Sequence, residues 1–160
     1  MFSLKVNNIL IFFYILLISM SVQAESFTIV SAKKAQDNPL FPPAIIKKYT
    51  TIIPVNTTYA YFFSDTQNRY ILTFSFDEKD TSFNDLLQNG VEVDNLKDIN
   101  IKKSGILDQK PPINCSFEGR AKVEFKEIWM VIPEFASEIN TGSTISKISA
   151  VTKPKKNCYN

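Results

Sequence analysis

The sequence predicts a mainly β domain, either an antiparallel barrel or a sandwich, with one short helix and one disulfide. From residue 47 onward, short segments in which apolar and polar residues alternate recur roughly every 8 to 15 residues. One segment alone has the spacing of apolar residues that is typical of a helix. This pattern is typical of small antiparallel β folds, of which a lipocalin-like barrel is one form.

The first 24 residues have the features of an export signal. Lys5 precedes an uncharged apolar stretch of about 14 to 16 residues, shorter than the ~20 residues that a membrane-spanning helix needs. The sequence Val22-Gln23-Ala24 matches the small-x-small pattern of a signal-peptidase site. We therefore expect residues 1–24 to be either a signal peptide cleaved after Ala24 or an N-terminal membrane anchor. Both alternatives place residues 25–160, a single β domain, in the periplasm, either soluble or tethered to the inner membrane.

The composition argues against several classes of function. The chain has 18 Lys and Arg against 16 Asp and Glu, so it lacks the broad positive field that attracts nucleic acid. It has no histidine, which removes the commonest general base, the usual Ser and Cys triads and most zinc sites. We therefore predict a protein that is not an enzyme and has no catalytic residues, no metal site, no cofactor and no nucleic-acid partner.

The two cysteines, Cys115 and Cys158, are predicted to form a disulfide. An even cysteine count in an exported chain indicates a disulfide, because the compartments outside the cytoplasm are oxidising. A single pairing exists, and it closes a long loop and ties the C-terminal residues to the domain.

The first half of the domain predicts a strand followed by a hairpin. In the segment KKYTTIIPV, the residues that alternate onto one face are Tyr49, Thr51, Ile53 and Val55. The segments TYAYFFS and RYILTFSF follow, and the turn-forming residues 65–68 separate them. In RYILTFSF the apolar residues share one face and most polar residues share the other, so we expect a hairpin with one buried side.

The segment TSFNDLLQNG is the one convincing helix in the sequence. Its apolar residues have the i, i+3, i+4 spacing of one helical face. Ser82 and Asp85 match a capping box at its start, and Gly90 supplies its end. The next segment, 99–103, is short and polar, and we interpret it as an edge strand.

The second half of the domain predicts another hairpin. Its strands are INCSFEG and RAKVEFKEIWMVI, with a turn at Glu118 and Gly119. Residues 121–125 alternate between apolar and charged, whereas the run from Ile128 is apolar on both faces. The change at Glu127 indicates a β-bulge or a strand that passes from the edge of the sheet into its interior. The last segment, TISKISAVT, brings the second cysteine towards the first.

Aromatic side chains supply the candidate site. Most lie at inward strand positions and are predicted to be core. One alternative is a barrel whose aromatic interior binds an apolar small molecule. Tyrosines with polar tips are also typical of a protein interface. The candidate partner or ligand surface consists of Tyr59, Tyr61, Tyr70 and Trp129, and the sequence does not separate these alternatives.

The basic and then apolar start MFSLKVNNILIFFYILLISMSV, followed by a small β-rich domain with a late disulfide, resembles a known group of bacterial proteins. These are the ToxS/VtrC/MyfF/PsaF-like periplasmic co-components of membrane-bound transcription regulators. The resemblance implies a small, often tethered protein that binds and stabilises the periplasmic part of a one-pass DNA-binding regulator. Some members share a lipocalin-like barrel that senses bile. The resemblance covers the organisation and size of the whole chain and carries over no functional residue.

Two functions are therefore expected. The first is a regulatory binding protein that stabilises or modulates a membrane-bound regulator of virulence or surface genes. The second is a periplasmic inhibitor or immunity protein that blocks a toxin or a hydrolase. The first predicts a neighbouring gene that encodes a winged-helix domain and one membrane span, and the second predicts a neighbouring toxin or hydrolase. In both cases the partner is another protein.

Overall fold

The computed structural model describes residues 26–34, 43–94, 96–97, 99–134 and 139–159. The elements are β1 (Phe27–Lys34), β2 (Ala44–Thr51), β3 (Val55–Ser64), β4 (Arg69–Phe76), α1 (Asn84–Gln88), β5 (Val91–Glu92), α2 (Ile99–Ser104), β6 (Cys115–Pro133), β7 (Asn140–Ser149) and β8 (Lys155–Cys158). The predicted leader, residues 1–24, lies outside the described residues. The predicted fold class is confirmed: the domain is mainly β, with one antiparallel sheet that is sandwich-like and not closed into a barrel.

The 19-residue strand β6 organises the sheet, because two strands pair along each of its edges. On one edge, β3 pairs with residues 116–123 and β2 with residues 128–133. On the other edge, β8 pairs with the first four residues of β6 and β7 pairs with residues 122–131. The register shifts on both sides of Phe125 confirm the bulge predicted near Glu127.

The core lies between the two halves of this bent sheet. The Phe27 ring of β1 packs edge-on against Phe76 of β4, with ring centroids 5.0 Å apart. Phe125 of β6 contacts Phe76 in turn, at 5.5 Å. On the far side, β5 approaches β7 through a single parallel bridge between Val93 and Ser143. The sheet therefore folds over its own apolar face without forming a continuous ladder around it.

The first predicted hairpin is confirmed. β3 and β4 pair along eight residues on either side of the turn at 65–68. Asn68 has a φ of +50°, which asparagine tolerates better than most residues, and its N–H donates to the Asp65 carbonyl at 3.3 Å. Leu72 and Phe74 are fully buried, so the apolar face of β4 is the inner face, as predicted.

The second predicted hairpin is wrong, because residues 115–133 form one continuous strand. The chain does not turn at Glu118 and Gly119; these residues pair with Ala60 and Tyr59 of β3. A Cβ atom on residue 119 would lie 2.6 to 2.8 Å from atoms of the Tyr59 side chain. The glycine therefore permits the tyrosine ring to lie directly on the backbone, and it marks close packing instead of a turn.

The predicted face from Tyr49 to Val55 is interrupted. Both end residues are fully buried, but Ile53 is 53% exposed. The chain bends at residues 52–54, between β2 and β3, where it follows the bend of β6 from one half of the sheet to the other. Pro54, which cannot donate to a ladder, lies in this bend.

The helix α1 is confirmed, although its predicted capping box is not formed. The helix covers Asn84–Gln88 and buries Leu86. Phe83 is its N-cap residue and makes no side-chain capping hydrogen bond. The Asp85 carboxylate instead accepts hydrogen bonds from two side chains of β2.

The edge strand predicted at 99–103 is wrong, because this segment is the helix α2, Ile99–Ser104. Ile101 is fully buried, and the Ser104 hydroxyl donates to its carbonyl at 2.6 Å. Gly105 follows with a φ of +78°, the left-handed conformation that commonly ends a helix. The glycine was the signal in the sequence, and the short length of the segment concealed its helical period.

Candidate functional site

Two of the four predicted surface residues, Tyr59 and Tyr61, lie in the core. Tyr59 has no exposed surface and Tyr61 has 4%. The Tyr59 hydroxyl donates to the Thr152 carbonyl at 3.1 Å, and burial raises the pKa of this phenol. The Tyr59 side chain therefore joins β3 to the segment between β7 and β8, and a partner cannot reach either tyrosine in this conformation.

The half-buried Tyr70 links the first hairpin to the connector that precedes β6. Its ring contacts Tyr61, with centroids 5.6 Å apart, and its hydroxyl donates to the Pro111 carbonyl at 3.1 Å. The Lys110 ammonium lies 5.2 Å from the ring centroid, a cation–π distance. Tyr70 and Tyr61 are therefore in contact, but the connector before β6 covers the hydroxyl of Tyr70.

Trp129 lies in the other half of the sheet, apart from the tyrosines. Its indole N–H donates to an Asp94 carboxylate oxygen at 2.8 Å. Its ring covers Gly142, its cross-strand partner on β7, and a Cβ at that glycine would collide with the indole. Trp129 therefore holds β6, β7 and the end of β5 together, which is a structural role for a half-buried side chain.

A buried tyrosine and two charged residues form a polar cluster between β2 and α1. The hydroxyl of the fully buried Tyr49 donates to Asp85 at 3.2 Å, and the Lys47 ammonium binds the same carboxylate oxygen. Burial, and next the charge of Asp85, raise the pKa of Tyr49 far above its usual value. The phenol stays protonated at neutral pH, and the cluster fastens α1 to β2.

The predicted disulfide is confirmed, and it joins directly opposed residues of β6 and β8. The Cα atoms of Cys115 and Cys158 are 4.0 Å apart. Beside it, Glu118 accepts hydrogen bonds from Ser116 at 2.6 Å and from Asn157 at 2.6 Å. The bond from Ser116 is the main cause that lowers the pKa of Glu118. We call these five residues the C-terminal clasp, because they hold β8 against β6.

Four of the six large hydrophobic side chains that are exposed among the described residues lie at the β1 end of the sheet. β1 pairs with β2 alone, so among the described residues nothing pairs with its outer edge. Ile29 is 43% and Val30 is 61% exposed. Ile52 and Ile53 are exposed nearby, and the Ile52 N–H donates to the Ser26 carbonyl at the start of β1. We call Ile29, Val30, Ile52 and Ile53 the β1 edge surface.

The sequence prediction named none of the four residues of the β1 edge surface as part of the candidate site. The β-branched run Thr28 to Val30 was the available signal. It was concealed because the alternation that identifies a strand is broken there by a register shift between Ile29 and Ser31. The exposure of Ile52 and Ile53 depends on the bend between β2 and β3, and a local pattern does not reveal it.

The described part of the chain holds no group of three or more His, Cys, Asp or Glu side chains arranged to bind a metal ion. In those same ranges, no helix has the length and apolar character needed to cross a membrane. Comparison with known protein families, with curated proteins and with solved structures finds no match to this chain.

Proposed function

We propose that this chain is a non-enzymatic periplasmic protein that binds and stabilises a membrane-bound transcription regulator. The sequence supports placement outside the cytoplasm through the leader and the cysteine pair. The observation that carries the proposal is the β1 edge surface, because it combines a strand edge that no described strand pairs with and exposed isoleucine and valine side chains. Such an edge is a docking site for another protein.

The distribution of charge along β1 separates a protected half from an open half. Natural edge strands carry lysines and bulges that prevent unwanted pairing. Lys33 and Lys34 provide this protection in the second half of β1, and Lys34 lies 3.5 Å from Glu134. The first half, from Thr28 to Val30, has no charge on either side of its exposed apolar residues, and its one protective feature is the register shift between Ile29 and Ser31. The open half is therefore the part of β1 that a partner can cover.

Binding at this surface is sufficient to protect a weakly stable partner. A protein that binds only the folded form stabilises it by RT ln(1 + [L]/Kd), about 2.7 kcal/mol at a hundredfold excess over Kd. A change of this size alters the unfolded fraction, and so the proteolysis of the partner, by about a hundredfold. No contact with a catalytic site is required for this effect.

The test is the half-life of the regulator in cells that do and do not express this chain. The candidate regulator is the product of a neighbouring gene with a winged-helix domain and one membrane span. The double substitution Ile29→Lys and Val30→Lys should shorten the half-life to that of cells without this chain. The matched control is Ile113→Lys, since Ile113 is 64% exposed but lies in the connector before β6.

The proposal fails if the regulator has the same half-life with and without this chain and no complex is recovered. If the complex forms but the two β1 substitutions leave it unchanged, the regulator partnership stands and the β1 edge surface is not its docking site. Recovery with a toxin or a hydrolase in place of a regulator would support the inhibitor function instead.

A further inference from the structure

A polar cleft of about 180 Å³ lies on the half of the sheet that β3 and the first part of β6 form. Its floor is formed by β3 and β6, where Asn56 pairs with Lys122 and Thr58 pairs with Arg120. The turn after β4 and Ala150 after β7 form its sides. The lining residues are Asn56, Thr57, Thr58, Asp77, Lys79, Arg120, Ala121, Lys122 and Ala150.

The cleft carries a positive charge that its own residues do not neutralise. Lys79 is paired with Asp77 at 3.3 Å. Arg120 and Lys122 are both exposed and lie two residues apart on β6, about 7 Å along the strand. Neither forms a salt bridge within the ranges that the structure describes. The pair therefore contributes two unpaired cations to one face of the cleft.

The backbone around these cations is held in place. The Arg120 N–H donates to the Thr152 hydroxyl and its carbonyl accepts from the Thr152 N–H, each at 2.8 Å. Asn56 lies beside the buried carboxyl of Asp80, and burial raises the pKa of that carboxyl. One oxygen of this carboxyl has no hydrogen-bond partner among the described residues. The backbone of Arg120 is therefore fixed by contacts with Thr152 behind the surface.

We propose that this cleft binds an oxyanion of the phosphate class. A carboxylate has two oxygens in one plane, and a single guanidinium satisfies both. A phosphate group presents oxygens in several directions, which suits a cleft with a guanidinium, an ammonium and the Thr58 hydroxyl on one floor. The proposal concerns a different surface from the β1 edge surface and does not depend on the regulator partnership.

The test is a titration of the purified full chain with sodium phosphate at constant ionic strength, followed by the backbone amide resonances of residues 56–58 and 150. We expect a saturable shift. The variant with Arg120→Gln and Lys122→Gln should bind at least about tenfold more weakly, as expected for lost hydrogen bonds to a charged ligand. Lys147→Gln is the matched control, because Lys147 is an exposed lysine of β7 outside the cleft.

A shift that does not saturate, or that is equal in the double variant, would overturn the proposal, provided that the variant unfolds at the same temperature as the original chain. A second arm identifies the source of the phosphate. Sedimentation with vesicles that contain phosphatidylglycerol, but not with pure phosphatidylcholine, would identify a lipid headgroup if it also requires Arg120. Saturable binding of phosphate without binding to vesicles would identify a free phosphate compound.

Discussion

Removing the disulfide should destabilise the domain by an amount that follows from the loop it closes. Cys115 and Cys158 are 43 positions apart. In the chain-entropy model, opening a loop of this length returns about 13 cal/mol/K to the unfolded chain, or about 4 kcal/mol at 25 °C. We therefore expect the double variant Cys115→Ala and Cys158→Ala to lose about 4 kcal/mol, a large part of the 5 to 15 kcal/mol that is usual for a domain.

The free energy of unfolding is measured by urea denaturation, with the fluorescence of the single Trp129 and far-UV circular dichroism as two probes. The original chain in the presence of a reductant is the matched control, because reduction opens the same loop without changing any other atom. Both routes should agree, and amide exchange in β8 should rise. A loss below about 1 kcal/mol by both routes would show that the hydrogen bonds of Ser116, Glu118 and Asn157, and not loop closure, hold the tail.

Two further substitutions test the packing and the clasp. Gly119→Ala should lower the free energy of unfolding by about 1 to 3 kcal/mol in chemical denaturation, because the new Cβ would meet the Tyr59 side chain at 2.6 Å. Gly90→Ala, whose nearest contact would be at 3.3 Å, should lower it less. Glu118→Gln should lower stability at pH 7 by about 1 kcal/mol, because it weakens the acceptor of the Ser116 hydroxyl. The pKa of Glu118 is lowered from 4.5 in the folded state, so its contribution is present above that pH and disappears as the pH falls further. Stability curves between about pH 6 and pH 3 should therefore be flatter for the variant, and parallel curves would refute this role.

Local patterns predicted the elements whose contacts are close in sequence. The hairpin of β3 and β4 has a turn with suitable residues and two alternating strands, so the pairing follows from the chain itself. The helix α1 has apolar residues at helical spacing and a glycine near its end. The disulfide needed no geometry, because a chain with two cysteines leaves one pairing.

Elements that depend on distant contacts were predicted less well. Gly119 has the sequence signature of a turn, but the Tyr59 ring packs on it and β6 continues through. This contact is made between residues 60 positions apart, and no local window contains it. The bend of β2 into β3 likewise follows from the bulge in β6, a strand that comes more than 60 residues later.

The candidate surface shows the same difference between what local patterns predict and what distant contacts decide. Tyrosine clusters occur both in cores and at interfaces, and only the sheet topology places Tyr59 and Tyr61 on the inner face. The β1 edge surface depends on strand order, because β1 is the last described strand on its side of the sheet and no described strand pairs with its outer edge. Sequence patterns identify apolar residues, whereas their accessibility is decided by the assembled sheet.

Amide hydrogen exchange in β1 tests the central claim most directly. The full chain is measured alone and in complex with the periplasmic domain of the candidate regulator. We predict slower exchange at Thr28, Ile29 and Val30 in the complex, because a docked partner covers the open half of the strand. Exchange near Ile113 in the connector should not change. A complex that forms while exchange at Thr28 to Val30 stays the same would contradict the assignment of the β1 edge surface as the docking site.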